Sequence, residues 1–193
     1  MQSLVELYAN VAYIAVDVVL FISFVYLVFR VKETGIRVFY HRGYKLKSKR
    51  DHDFISWCFT LIVYTLFNYI DTIMTGLIIS LDTDYLLRRK LFYLSKIFFF
   101  ILLYVSLYAL HVMRGCSFSM ITRSAYCLGL IPITLYLIQL ISRGYYDVTL
   151  ITSENFRFMI SLYATICCFI FVSFPVKSVY QRIKKANRRP QIS

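Results

Sequence analysis

The chain has few charged residues and few of the residues that form loops. Only 17% of its 193 residues are charged, whereas an average soluble domain has roughly 25%. Six glycines and three prolines are too few for a collagen-like or linker-rich chain. The five cysteines form no C-x-x-C pair and no cluster with the three histidines, so neither a zinc site nor a disulfide framework is predicted. We expect no metal and no cofactor.

Apolar and aromatic side chains are abundant instead. Hydrophobic residues make up 59% of the sequence, which contains 17 Phe and 17 Tyr and has a formal net charge of +12. A disordered basic protein is excluded, because so many aromatic rings cannot stay solvated. A helix that crosses the hydrocarbon core of a bilayer needs about 20 apolar residues. Five runs are long enough, at about 8–29, 54–81, 91–113, 118–142 and 156–176. The sequence therefore predicts an all-α, polytopic membrane protein with five transmembrane helices in a single domain.

The positive charge gathers in two segments outside these runs. The loop 30–53 holds eight Lys and Arg and the tail 177–193 holds six, together 14 of the 22 in the chain. Four predicted helices separate the two segments, so both lie on one side of the membrane, and the positive-inside rule makes that side cytoplasmic. The N-terminus is then outside and the C-terminus cytoplasmic, in a bacterial inner membrane. The predicted outer segments carry the acidic residues Glu6, Asp82, Asp84, Asp147 and Glu154, and three cations as an exception, Arg88, Arg89 and Lys90.

Polar residues inside the predicted spans are costly, and each one suggests a function. Asp17 interrupts the first run, Asn68 and Asp71 the second, and Lys96 the third. Counted along the helices at about 1.5 Å per residue, the three charged residues lie at similar heights in the outer half of the membrane. We predict an intramembrane polar cluster of these four residues, in which Lys96 links the two carboxylates. The cluster could be a structural ion pair, a proton or ion pathway, or a switch that a ligand biases.

Small residues mark faces along which the predicted helices can pack. Thr72, Gly76 and Ser80 form a small-xxx-small row on the second helix, and Ala125 with Gly129 forms a shorter row on the fourth. Such rows let helix backbones approach closely. The contact could lie within one chain or between two copies of it.

The predicted cytoplasmic face is a candidate binding surface. The loop 30–53 is longer than a turn requires, and aromatic residues are interleaved with its cations. Anionic lipid headgroups attract such cations by about 1 kcal/mol each, and an acidic cytosolic protein could dock there as well. Direct binding of nucleic acid is the less favoured interpretation. The candidate contact residues are Arg37, Arg42, Lys45, Lys47, Lys49, Arg50, Lys184, Lys185, Arg188 and Arg189.

Two families resemble parts of this pattern. In its size, its spans and its basic inner face, the chain resembles the small membrane subunit of the Kiwa anti-phage defence system. The segment in which Phe174, Pro175, Val176 and Lys177 run into further cations is similar to the end of immunity proteins against pore-forming colicins. The first resemblance implies a bacterial defence setting, in which a membrane subunit detects envelope disturbance and holds a cytosolic effector. The second implies a protein that blocks a toxin within the bilayer.

The sequence contains none of the common catalytic motifs, and its segments outside the spans are too short to bury a core of their own. We therefore predict that the protein is not an enzyme. We expect an oligomeric membrane sensor or scaffold that holds a cytosolic protein through its basic inner face. The alternatives are an immunity protein against a pore-forming bacteriocin and a small ion channel that uses Asp17, Asp71 and Lys96.

Overall fold

The computed structural model describes residues 4–35, 46 and 48–187, and in these residues the protein is all-helical with no β-strand. Five helices are long and apolar enough to cross a membrane, as predicted. They are α1 Leu4–Thr34, α2 Lys49–Ile79, α3 Tyr85–Arg114, α4 Met120–Gln139 and α5 Ser153–Asn187. A π-helical turn, Leu140–Tyr145, continues α4. A helix of about 30 residues is about 45 Å long, so α1, α2, α3 and α5 are longer than the hydrocarbon core of a bilayer is thick, whereas α4, with 20 residues, is about as long as that core.

The loop predicted over 30–53 is shorter at both ends. Helix α1 continues to Thr34 and α2 begins at Lys49, because polar residues can occupy the ends of a helix beyond its apolar run. The start of α2 is fixed by a capping box. The Ser48 hydroxyl accepts a hydrogen bond from the Asp51 N–H, and the Asp51 carboxylate accepts one from the Ser48 N–H, both at 3.2 Å. The connection between the two helices therefore spans 35–48.

Pro175 lies inside α5 and does not end it. A proline has no N–H to donate to the carbonyl four residues earlier, which here is that of Phe171. The indole N–H of Trp57, a buried residue of α2, donates to this carbonyl at 3.2 Å. The carbonyl freed by the proline is thus satisfied from a neighbouring helix. As a result, the first part of the tail predicted over 177–193 is helical, as far as Asn187.

We expect Trp57→Phe to lower the free energy of unfolding by about 1–3 kcal/mol, because it leaves the buried Phe171 carbonyl without a donor. In a Pro175→Ala background the helix regains its own N–H donor, so the same substitution should cost less there. Thermal unfolding of the four proteins in detergent gives both costs. An equal cost in the two backgrounds would contradict the role of this hydrogen bond.

Helix α1 packs chiefly along α5, and the two run in the same direction. Glu6 on α1 pairs with Arg157 on α5 at 3.3 Å near one end, and Glu33 pairs with Arg182 at 2.5 Å near the other. Successive helices point in opposite directions. The start of α1 and the α2–α3 and α4–α5 connections therefore lie at one end of the bundle, which we call the N-terminal end. The connection 35–48 and the end of α5 lie at the other, the C-terminal end.

Candidate functional site

The ammonium group of Lys96 on α3 is held by two side chains of α2. Nζ donates to Asp71 Oδ2 at 2.5 Å and to Thr75 Oγ1, one turn further along the helix, at 2.7 Å. The ring centre of Phe92 lies 5.3 Å from the same nitrogen. The Lys96 side chain is 9% exposed and that of Asp71 is 34% exposed. The structure thus brings together two members of the sequence-predicted cluster, in a pair that is buried on the lysine side and open on the aspartate side.

The ion pair borders a cavity of about 420 Å³ that is lined by residues of all five helices. Asp17 on α1 and Asn68 on α2 line it too, and neither side chain has a polar partner in the described part of the chain. The prediction that Lys96 links both carboxylates is therefore wrong, since Asp71 is the only one of the two to which Lys96 bonds. The reason is the packing of α1 along α5, which leaves the cavity between Asp17 and the pair.

Aromatic side chains form much of the remaining cavity wall. We call this set the aromatic wall; its members are Tyr13, Tyr64, Phe67, Phe99, Phe100, Tyr136, Tyr163 and Phe171. The Tyr64 hydroxyl lies 3.2 Å from that of Tyr104. The phenol oxygen of Tyr163 is buried. The cavity therefore combines two carboxylates and one ammonium with eight aromatic side chains.

A second cavity, of about 360 Å³, adjoins the first towards the N-terminal end, and Lys96 lines both. Arg143 and Arg157 form part of its wall. The Arg143 guanidinium donates to Ser153 Oγ at 3.1 Å and to the Ile151 carbonyl at 3.2 Å. Arg143 belongs to the π-helical turn, a distortion that is often found at functional sites. Polar groups thus line a route from the N-terminal end to the buried ion pair.

Arg88, Arg89 and Lys90, the three cations in the predicted outer segments, each contact a neighbouring group at the N-terminal end. Arg89 donates to Asp147 Oδ1 at 2.6 Å. Arg88 donates to backbone carbonyls at and just beyond the end of α2, at 3.4 and 3.5 Å. Lys90 lies 4.7 Å from the ring centre of Tyr145. These contacts tie the start of α3 to the neighbouring connections and give the three cations structural roles.

A second group of buried polar side chains, nearer the C-terminal end, was missed by the sequence analysis. Ser56 Oγ lies 2.8 Å from His111 Nε2 and 2.7 Å from Thr122 Oγ1. Thr60 Oγ1 lies 2.8 Å from Thr122 Oγ1, and the Ser119 N–H donates to Ser56 Oγ at 2.9 Å. All five residues are buried. We call this the hydroxyl network; it joins α2, α3 and α4.

Three of the predicted contact residues of the basic face are exposed at the C-terminal end, namely Lys49, Arg50 and Lys184. The Arg50 guanidinium donates to Ser178 Oγ on α5 at 3.5 Å. Six others lie outside the described residues: Arg37, Arg42, Lys45, Lys47, Arg188 and Arg189. Lys185 lies in α5, but its side chain also falls outside the described part. The described contact residues form a small exposed basic surface.

The titratable groups of the described residues do not form a metal site. No three side chains of His, Cys, Asp or Glu come together there in the way a metal ion requires.

In the α3–α4 connection, burial raises the pKa of the Cys116 thiol. The thiol is therefore protonated at neutral pH and is a poor nucleophile. The chemistry of the candidate site is that of an ion pair beside a second carboxylate.

Comparisons of the chain with protein families, with curated proteins and with solved structures find no match. The cavity, its charged residues and the charge of the two ends are therefore the features from which a function can be argued.

Proposed function

We propose that the protein is a non-enzymatic, multi-pass sensor and scaffold of the bacterial inner membrane, with its N-terminus outside and its C-terminus in the cytoplasm. The charge of the two ends supports this orientation. Five Lys and Arg residues lie at the N-terminal end, whereas the segments 30–53 and 177–193 together hold 14 of the 22 in the chain. The positive-inside rule assigns the end that is richer in Lys and Arg to the cytoplasm.

The observation that carries the proposal is the cavity beside the Asp71–Lys96 ion pair, because this cavity lies between two groups of helices. Helices α1 and α5 form one group, joined by ion pairs near both ends of α1 and by a 2.9 Å hydrogen bond between the hydroxyls of Tyr8 and Thr165. Helices α2, α3 and α4 form the other group, joined by the hydroxyl network. The packing of α4 on α5 and the Trp57–Phe171 hydrogen bond connect the two groups. A ligand in the cavity that favours one spacing of the two groups over another would shift the bundle between two arrangements.

The connection 35–48 is suited to report such a shift. It runs from the end of α1 to the start of α2 and so links one group of helices to the other. Its cations and those beside it would attract an acidic surface of a cytosolic protein and anionic lipid headgroups. We therefore place the stimulus in the cavity and a cytosolic effector on the basic face of a homo-oligomer. The resemblance to the Kiwa membrane subunit makes bacterial defence the proposed setting.

Purification of the full chain from its own host in mild detergent, with the cytosolic protein that it holds, tests the scaffold role. We expect Lys49→Gln with Arg50→Gln to lower the affinity for the partner by up to about 30-fold, because each exposed ion pair contributes up to about 1 kcal/mol. Lys49→Arg with Arg50→Lys changes the same two positions but keeps their charge, and it is the matched control. Retention of the partner by the first variant, or equal loss from the control, would show that the basic face does not hold it.

A further inference from the structure

The cavity beside the ion pair has the chemistry of a binding site for an organic cation, and we propose that it binds a lipophilic one. Such a ligand carries one positive charge on an apolar or aromatic body, as an ammonium or phosphonium does. The inference rests on the proposed role of the cavity as the sensing site, and it names the class of ligand.

The charged residues of the cavity leave one negative charge without a partner. Lys96 is paired with Asp71 at 2.5 Å. Asp17 lines the same cavity, and its carboxylate has no polar partner within the described ranges. It lies near the middle of the 31-residue helix α1, about 20 Å from the start of the helix, where an unpaired carboxylate is costly in a membrane. A cation in the cavity would remove that cost.

The aromatic wall selects an organic cation over a metal ion. The faces of aromatic rings attract cations, and cages of such rings recognise quaternary ammonium groups. A hard metal ion would need several oxygen ligands around one point, and no three acidic, Cys or His side chains gather in the described part of the chain. Aromatic rings that line the same cavity as an unpaired carboxylate thus match a cation with an apolar body.

The size and the access of the cavity fit the same ligand. Its volume of about 420 Å³ lies within the range of roughly 300–1,000 Å³ for pockets that hold small molecules. Asp17 and Asn68, on α1 and α2, line the cavity and are exposed. A lipophilic ligand dissolved in the bilayer can therefore enter sideways between these two helices. An anion of the same shape would meet the Asp17 carboxylate, and Lys96 is already paired.

The test compares tetraphenylphosphonium with tetraphenylborate, two ions of the same shape and opposite charge. Binding to the full chain in nanodiscs of uncharged lipid is measured by equilibrium dialysis, with empty nanodiscs as the background. We expect saturable binding of the phosphonium and none of the borate. Equal binding of the two ions, or no saturable binding of the phosphonium, would overturn the proposal. This comparison uses the unchanged protein and does not depend on the folding of any variant.

Variants then test the position of the charge. We expect Asp17→Asn to weaken phosphonium binding about tenfold, the effect of losing one ionic contact of about 1.4 kcal/mol. Asp17→Glu should keep the affinity, and so should Asp82→Asn, which removes an exposed acid in the α2–α3 connection. Unchanged binding by Asp17→Asn would overturn the assignment of Asp17. This binding measurement involves no cytosolic partner, so it is independent of the scaffold proposal. If the phosphonium does not bind but the partner is still held, only the proposal of a cation site is overturned. If the phosphonium binds but no partner is held, only the scaffold proposal is overturned.

Discussion

Lys96→Met is expected to destabilise the bundle by about 3–5 kcal/mol, although methionine is apolar and similar in length to lysine. The substitution removes the ammonium group that donates to Asp71 at 2.5 Å and to Thr75 at 2.7 Å. It leaves the Asp71 carboxylate facing a cavity whose wall is largely apolar. Breaking a buried ion pair from one side is costly because the remaining charge has lost its partner and has not regained water. The 34% exposure of the Asp71 side chain places the expected loss at the lower end of this range.

A second substitution separates the loss of the pair from the loss of lysine packing. Asp71→Leu combined with Lys96→Met leaves neither charge, so the double variant should recover most of the stability. Thermal unfolding in detergent, evaluated as a double-mutant cycle, measures the coupling. The pair Glu6–Arg157, whose side chains are 43% and 50% exposed, is the matched control, and Glu6→Gln with Arg157→Gln should cost at most about 1 kcal/mol. A Lys96→Met protein as stable as the wild type would refute the buried ion pair.

The number of helices could be predicted from the sequence, whereas the points at which they end could not. An apolar run identifies a candidate span because each residue adds its own transfer free energy, independently of the fold. The end of α5 depends instead on a contact between helices. Pro175 would be expected to stop the helix, yet Trp57 on α2 donates to the carbonyl that the proline leaves free. A single sequence does not show which distant side chain supplies such a hydrogen bond.

The same distinction applies to the site. Asp17 and Lys96 stand out in the sequence because each interrupts an apolar run, but whether they meet depends on which helices are neighbours, and α1 packs along α5. The hydroxyl network around Ser56, His111 and Thr122 was missed because single Ser and Thr residues are common in membrane helices. The spacing of these residues along one helix does not indicate whether their side chains form hydrogen bonds with a neighbouring helix. Only the approach of three helices makes these residues a network.

Gly129→Ala is expected to cost about 1–3 kcal/mol, an unusually large effect for the addition of one methyl group. A Cβ at this position would lie 1.3 Å from Tyr104 Oη and 2.0 Å from Tyr104 Cζ, far inside van der Waals contact. The ring of Tyr104 has little room to move aside. Its hydroxyl lies 3.2 Å from that of Tyr64, and its ring centre lies 5.1 Å from that of Tyr126. The row formed by Ala125 and Gly129 therefore serves close packing of α4 on α3 within one chain.

Gly76→Ala, in the row on α2, is the matched control because no heavy atom of the described residues lies within 4 Å of a Cβ at that position. Alanine favours a helix over glycine by up to about 1 kcal/mol, so this substitution should leave stability unchanged or raise it. Thermal unfolding of the two variants in detergent should thus give shifts of opposite sign from the same chemical change. Combining Gly129→Ala with Tyr104→Leu should recover part of the lost stability, since it removes the ring that meets the new methyl group. Equal shifts for the two glycines would refute the close approach at Gly129, and a loss at Gly76 would place the α2 row in a contact between copies of the chain.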